Sequence, residues 1–162
     1  MSFAVQQKPL SPIEQLITIM TMECEATESL FKVLSEQQEA VISYSGEELE
    51  YSTERCSEMI RRVRALEKDR LRILEKALQG TSAENFSSSP YAFERLMSVV
   101  DNRGGLKSRL KTISDRLRVA VASVVHKNLV NSKLLEHSMN YAQHNIKMIT
   151  SEYSRQFIDK KL

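Results

Sequence analysis

Four glycines and three prolines are the only strong chain-breakers in 162 residues. Gly and Pro punctuate regular structure, and folds with many strand–helix junctions need them at most corners. A chain this poor in both turns seldom, so its elements must be long. That argues against an α/β enzyme fold, a sandwich or a barrel, and leaves long helices. The few breakers stand where helix ends are wanted: Pro12 just inside a start, Gly46 between two runs, Gly80 after the second, and Gly104-Gly105 ahead of the longest.

Ser11-Pro12-Ile13-Glu14 reads as a helix start, with Ser as the cap and Glu reaching back to it. Ile13, Leu16, Met20, Leu30, Phe31, Leu34 and Val41 then recur at helical spacing, with Thr27 and Gln38 filling the same stripe. Ser45-Gly46-Glu47-Glu48 ends that run and supplies a second capping-box pattern. A second run carries Leu49, Cys56, Met59, Ile60, Val63, Leu66, Ile73, Leu74, Ala77 and Leu78 as far as Gly80, a helix stop. These two helices, each roughly 50 Å long, are joined too tightly to form anything but an antiparallel hairpin. After a Ser-rich stretch, Ser89-Pro90 opens a short helix with Phe93, Leu96, Met97 and Val100 on one side. From Leu106 nothing interrupts a third helix of roughly 75–80 Å, about 25 Å more than the hairpin can support. The expected fold is all-α, a single helical domain over 1–162. It has helices over 11–45 and 47–79 as a long antiparallel hairpin, a short connecting helix over 90–100, and a third long helix over 106–158.

The third helix has two apolar stripes. The main one runs through Leu106, Leu110, Ile113, Leu117, Val121, Val124, Leu135, Met139, Ala142, Ile146, Ile149 and Tyr153; a weaker one, about 120° away, holds Val119, Val130, Leu134, Tyr141 and Met148. Packing on a hairpin needs one stripe, so a second implies a second contact. The short helix or a homodimer is one way to cover it. Asn128 and Asn131 interrupt the main stripe; a polar amide in an apolar seam sets register or partner choice at a cost in stability, and placement at the solvated edge of the seam is the equal alternative.

Net charge is only +2, but it is unevenly spread. Residues 1–50 carry nine Glu against two Lys, whereas residues 101–162 carry twelve basic groups against five acidic ones. An acidic helix packed against a basic one within the chain accounts for this, as would a basic tail seeking an acidic partner. No apolar run approaches the roughly 20 residues that span a bilayer, and two Cys with no secretion-type leader point to a reducing, cytoplasmic setting. Cys24 and Cys56 fall roughly 16 Å out of step along the hairpin, too far for a disulfide. Arg70 projects from the apolar stripe of the second helix, and a hairpin turning near Gly46 brings it level with Glu23; a partly buried Glu23–Arg70 structural ion pair is expected.

No catalytic pattern emerges. His126, His137 and His144 share a face but stand roughly 10–16 Å apart along the helix, too far to share an ion bonded at about 2 Å. There is no phosphate loop, paired-His motif or strand-borne nucleophile. The basic runs around Arg62 and Lys68 fall mostly on the solvated face. The expectation is a binding protein, not an enzyme, without cofactor or metal.

The order and spacing of several segments resemble the FlgN-type flagellar export chaperones. These are Gln37-Gln38-Glu39-Ala40 followed by Gly46-Glu47-Glu48-Leu49, then Leu66-Glu67-Lys68-Asp69-Arg70, then Asn128-Leu129-Val130-Asn131-Ser132-Lys133-Leu134-Leu135. The resemblance implies a cytosolic chaperone that holds the C-terminal helical segments of the hook–filament junction proteins FlgK and FlgL. It also implies docking on the export gate protein FlhA. Carried onto this chain, Asn128, Asn131, Leu134 and Leu135 start the partner-binding helix. Met139, Tyr141, Ala142, Ile146, Met148, Ile149 and Tyr153 continue the contact. The competing reading is a helical scaffold or homo-oligomer with no client. Nucleic acid and stable membrane insertion are disfavoured because Glu136 and Glu152 interleave with the lysines and there is no Trp.

Overall fold

A computed structural model describes residues 10–82 and 91–159. It is all-α: α1 (Pro12–Ile42), α2 (Gly46–Leu78), α3 (Ala92–Val99) and α4 (Leu106–Asp159), the last entered through a 3₁₀ turn over Arg103–Gly105. No strand occurs among the described residues. α1 begins with a full capping box: the Ser11 hydroxyl accepts from the Glu14 amide at 3.3 Å, and the Glu14 carboxylate accepts from the Ser11 amide at 2.8 Å. At α2 only half of that arrangement forms, Ser45 accepting from the Glu48 amide. The Ser89-Pro90 start lies outside the described residues; α3 opens at Ala92 behind Tyr91, which makes no side-chain cap bond.

α1 ends at Ile42 and α2 starts at Gly46, against the expected bounds of 45 and 47. Gly46 is already the first residue of α2, and the left-handed residue is Tyr44, at φ +55°. A bulky L-residue pays for that conformation through crowding of its Cβ. Tyr44→Gly is therefore expected to raise stability by about 0.5–1 kcal/mol, seen as a slightly higher midpoint in thermal unfolding. A lower midpoint would show that the Tyr44 ring contributes packing its 77% exposure does not suggest.

α1 is the central rod. It pairs antiparallel with α2 and parallel with α4, and α3 packs mainly on α2. At the end away from the turn all four helices share one core: Leu16, Met20 and Cys24 of α1, Leu74 and Leu78 of α2, Leu96 of α3, and Leu110, Ile113, Leu117 and Ala120 of α4. A smaller cluster nearer the turn joins Leu30, Val33 and Leu34 to Cys56, with Met59, Val63 and Val124 against it. Both cysteines are buried and free.

Part of the uneven charge is matched inside the molecule. Glu28 receives two hydrogen bonds from Arg116, at 2.9 and 2.7 Å, tying α1 to α4. Glu36 pairs with Arg55 and Glu23 with Arg70, tying α1 to α2.

α4 buries the stripe that its sequence suggests through Leu110, Ile113 and Leu117 and then departs from it. Its seam against α1 uses Leu110, Ile113, Leu117 and Ala120, with Val121 rolled out to 44% exposure. Beyond Val124 the seam positions are Lys127, Asn131, Leu134 and Ser138, whereas Met139 and Ile146 of the expected main stripe are exposed. Two helices winding on each other keep contact every 3.5 residues, so an apolar pattern that changes phase leaves the interface.

Candidate partner-binding surface

α1 ends at Ile42, which with Val41 and Tyr44 faces Leu134, Ser138 and Tyr141. α4 runs on to Asp159, so residues 142–159 project roughly 27 Å past the hairpin at 1.5 Å per residue. Along and just before this projection, Met139 is 62% exposed, Tyr141 62%, Ile146 60% and Met148 57%; Ala142 is exposed as well. Met139, Ala142 and Ile146 follow the three- and four-residue spacing of a helix face, which is what an amphipathic helix needs to lie against. The side chains of Ile149 and Tyr153 lie outside the described residues.

The residues expected to begin this surface divide. Asn128 is exposed, Leu134 and Leu135 are half-buried. Asn131 is 1% exposed: its amide nitrogen donates to the Leu34 carbonyl at 2.7 Å and to Gln37 Oε1 at 3.1 Å, and Gln37 in turn donates to Thr53 at 3.1 Å. In this conformation Asn131 offers nothing to a partner; it fastens α4 to α1 through a polar relay that crosses to α2. Its Oδ1 has no hydrogen-bond partner, which offsets part of what the amide contributes. Asn131→Leu is therefore expected to change stability by no more than about 1 kcal/mol. Denaturant unfolding showing a loss beyond about 2 kcal/mol would mean that the relay holds α4 far more firmly.

Glu23 and Arg70 are brought together, Arg70 Nε donating to Glu23 Oε2 at 2.7 Å, with Glu67 at 3.8 Å from the same guanidinium. Burial pushes the Glu23 carboxyl above its ordinary value, against the opposing pull of Arg70. Glu28 is shifted the other way, held below the usual range by its hydrogen bonds to Arg116. His126, His137 and His144 are all exposed, and no metal-binding cluster occurs among the described residues.

Two features were not legible beforehand. One is a groove of about 720 Å³ along the outer side of α1 and α4, floored by Phe31, Val119, Ala120 and Ser123 and rimmed by the Glu28–Arg116 pair. The other is the exposed side of the hairpin turn, Ile42 at 61% and Tyr44 at 77%. An Ile and a Tyr inside a stretch otherwise suited to a polar turn were the available signal.

The arrangement is a braced four-helix core carrying an unsupported amphipathic rod, with no metal-binding cluster among the described residues. A family model described as "FlgN protein" matches residues 12–156. The chain belongs to the FlgN family. Comparison with curated proteins and with solved structures finds no match. FlgN membership carries a flagellar export-chaperone kind of role, which is a binding role and not an enzymatic one. Among the described residues no helix is long and apolar enough to cross a membrane.

Proposed function

We propose that this FlgN-family chain acts in the cytoplasm as the chaperone of FlgK-like and FlgL-like hook-associated proteins. It covers their C-terminal helical segments before secretion, prevents premature association, and delivers them to an FlhA-like gate of the type III export apparatus. The observation that carries the reading is the projecting part of α4, with Met139, Ala142 and Ile146 on one face and no hairpin beside it.

A client segment that is unfolded in the cytosol hides its apolar face by folding as a helix along that track. Each large side chain so covered contributes about 1.5–3 kcal/mol. Ordering the client segment costs conformational entropy, which holds the net affinity down and favours release at the gate.

Co-purification with the C-terminal segment of a FlgK-like protein tests this. Capture by the full chain supports it, and failure to capture either a FlgK-like or a FlgL-like segment overturns it. The same exposed track favours one second reading, a homo-oligomer that buries it against a copy of itself. Light scattering separates the two: a dimer that persists on dilution and excludes the client segment would establish the second.

A further inference from the structure

The outer face of α2, turned away from α1, carries its charge in two blocks. Glu50, Glu54 and Glu58 stand in one row four residues apart; Arg64, Lys68, Arg72 and Lys76 form a second row, with Arg61 at the changeover. All eight are exposed, and Ser52, Cys56, Leu66 and Leu74 on the opposite side are buried. A solvated helix gains from opposite charges four residues apart and loses where like charges stand there. This face has five like-charged pairs at that spacing, two in the acidic row and three in the basic one. Contacts within the chain do not offset them. Glu50, Glu54, Glu58, Arg61, Arg64 and Lys68 have no ion pair among the described residues, and Arg62 makes none with Glu58. The charges around them are engaged: Arg55 with Glu36, Arg70 with Glu23 and Glu67, and Arg72 with Asp69.

Reversed end for end, this pattern is its own complement. A second copy of α2 can lie antiparallel across the face, with the two-fold axis between Glu58 and Arg61. Glu58 is then level with the partner's Arg61, Glu54 lies beside the partner's Arg64, and Glu50 beside the partner's Lys68. The axis repeats each pair, so one interface answers both blocks on both copies. At the changeover Tyr51, Glu54, Arg55, Ser57, Glu58 and Arg61 line a hollow of about 540 Å³. It gives a guanidinium from the partner room to reach Glu54 and Glu58. Ser57 and Ala65, small residues on the same face, let two helix backbones approach. A wholly acidic partner would match the basic row and be repelled by the other, and a wholly basic one the reverse. Matching both takes a surface with the same two blocks in opposite order, which a copy of this chain supplies.

We infer that the outer face of α2 is the interface of an antiparallel homodimer held by these reciprocal ion pairs. The inference does not depend on the chaperone reading. The interface needs no residue of the Met139–Ile146 track, so it differs from an oligomer that buries that track in place of a client. Exposed ion pairs are individually weak and are screened by salt, so the association is reversible and fades as salt rises.

Analytical ultracentrifugation of the full-length chain tests this at about 0.1 M and about 1 M salt, between which the reach of a charge falls from about 10 Å to about 3 Å. Wild type is expected to dimerise at the lower salt, with a dissociation constant about tenfold higher or more at the upper. Arg64→Glu/Lys68→Glu turns most of the face acidic, and Glu50→Lys/Glu54→Lys turns most of it basic. Each is expected to be monomeric alone with unchanged helicity, since all four positions are exposed. Mixed in equal amounts, the two are expected to form a dimer with one copy of each, because every reversed charge then meets its opposite. Ile146→Asp is expected to dimerise as wild type does. A wild type that stays monomeric at low salt overturns the inference, as does a dimer that ignores salt or persists in either reversed variant alone. A mixture that stays monomeric overturns the antiparallel pairing. Loss of the dimer in Ile146→Asp moves the interface to the projecting track and overturns it as well.

Discussion

Arg70→Met is expected to destabilise the protein by about 3–5 kcal/mol at neutral pH, lowering the thermal midpoint by about 10 °C for a chain of this size. The Glu23 side chain is 5% exposed, and the Arg70 guanidinium is the cation hydrogen-bonded to it. Met keeps most of the Arg stem packing, so the loss isolates the charge: a carboxylate left in the hairpin with neither counter-ion nor donor.

The pH dependence follows from the direction of the Glu23 shift. A carboxyl held above its ordinary value contributes stability that is complete below that value, 4.5, and is lost as the pH rises through the raised one. Removing Arg70 takes away the influences that pull Glu23 down, so the variant's deficit is largest at neutral pH and narrows on acidification as Glu23 takes up a proton. Replacing both residues, Glu23→Leu with Arg70→Met, is expected to recover most of the loss, because a buried pair costs nearly as much to desolvate as it returns. An unchanged midpoint for Arg70→Met at neutral pH would show that the pair does not hold the hairpin.

Ile146→Asp is expected to reduce capture of the FlgK-like segment at least a hundredfold while leaving fold and helicity intact. The change removes an apolar contact of about 1.5–3 kcal/mol and places an unpaired carboxylate under the client helix, which costs about 1–3 kcal/mol more. Because Ile146 is 60% exposed and lies past the end of α1, the free protein loses almost nothing. Leu134→Asp is the informative contrast. Leu134 is half-buried against the hairpin end, so that change lowers stability together with capture and cannot separate the two. Undiminished capture by Ile146→Asp would remove the projecting track from the mechanism.

Long helices were legible from the scarcity of Gly and Pro, and the Ser11–Glu14 cap was legible because its reciprocal bonds are local. Level pairing of Glu23 with Arg70 followed from the position of the turn, since two antiparallel helices advance at the same rise per residue. Three things were not legible. The left-handed residue is Tyr44 and not the Gly two positions on, because turn closure is decided by how the two helix axes meet. The inner face of α4 switches from Val121 to Ala120 because a seam between two wound helices has a period that a single straight helix lacks. Asn128 and Asn131, three residues apart in one apparent stripe, end on opposite terms: one in solvent, the other against the Leu34 carbonyl.

By itself, then, the order of residues determined the element lengths, the antiparallel hairpin and the surplus length of the last helix. These depend on interactions within a few residues and on helix rise. Only the tertiary structure decided which side of α4 faces α1, where the apolar pattern slips out of that interface, and which of its amides is buried. Those outcomes depend on how neighbouring helices wind and where their ends fall, and no single helix carries that information in its own periodicity.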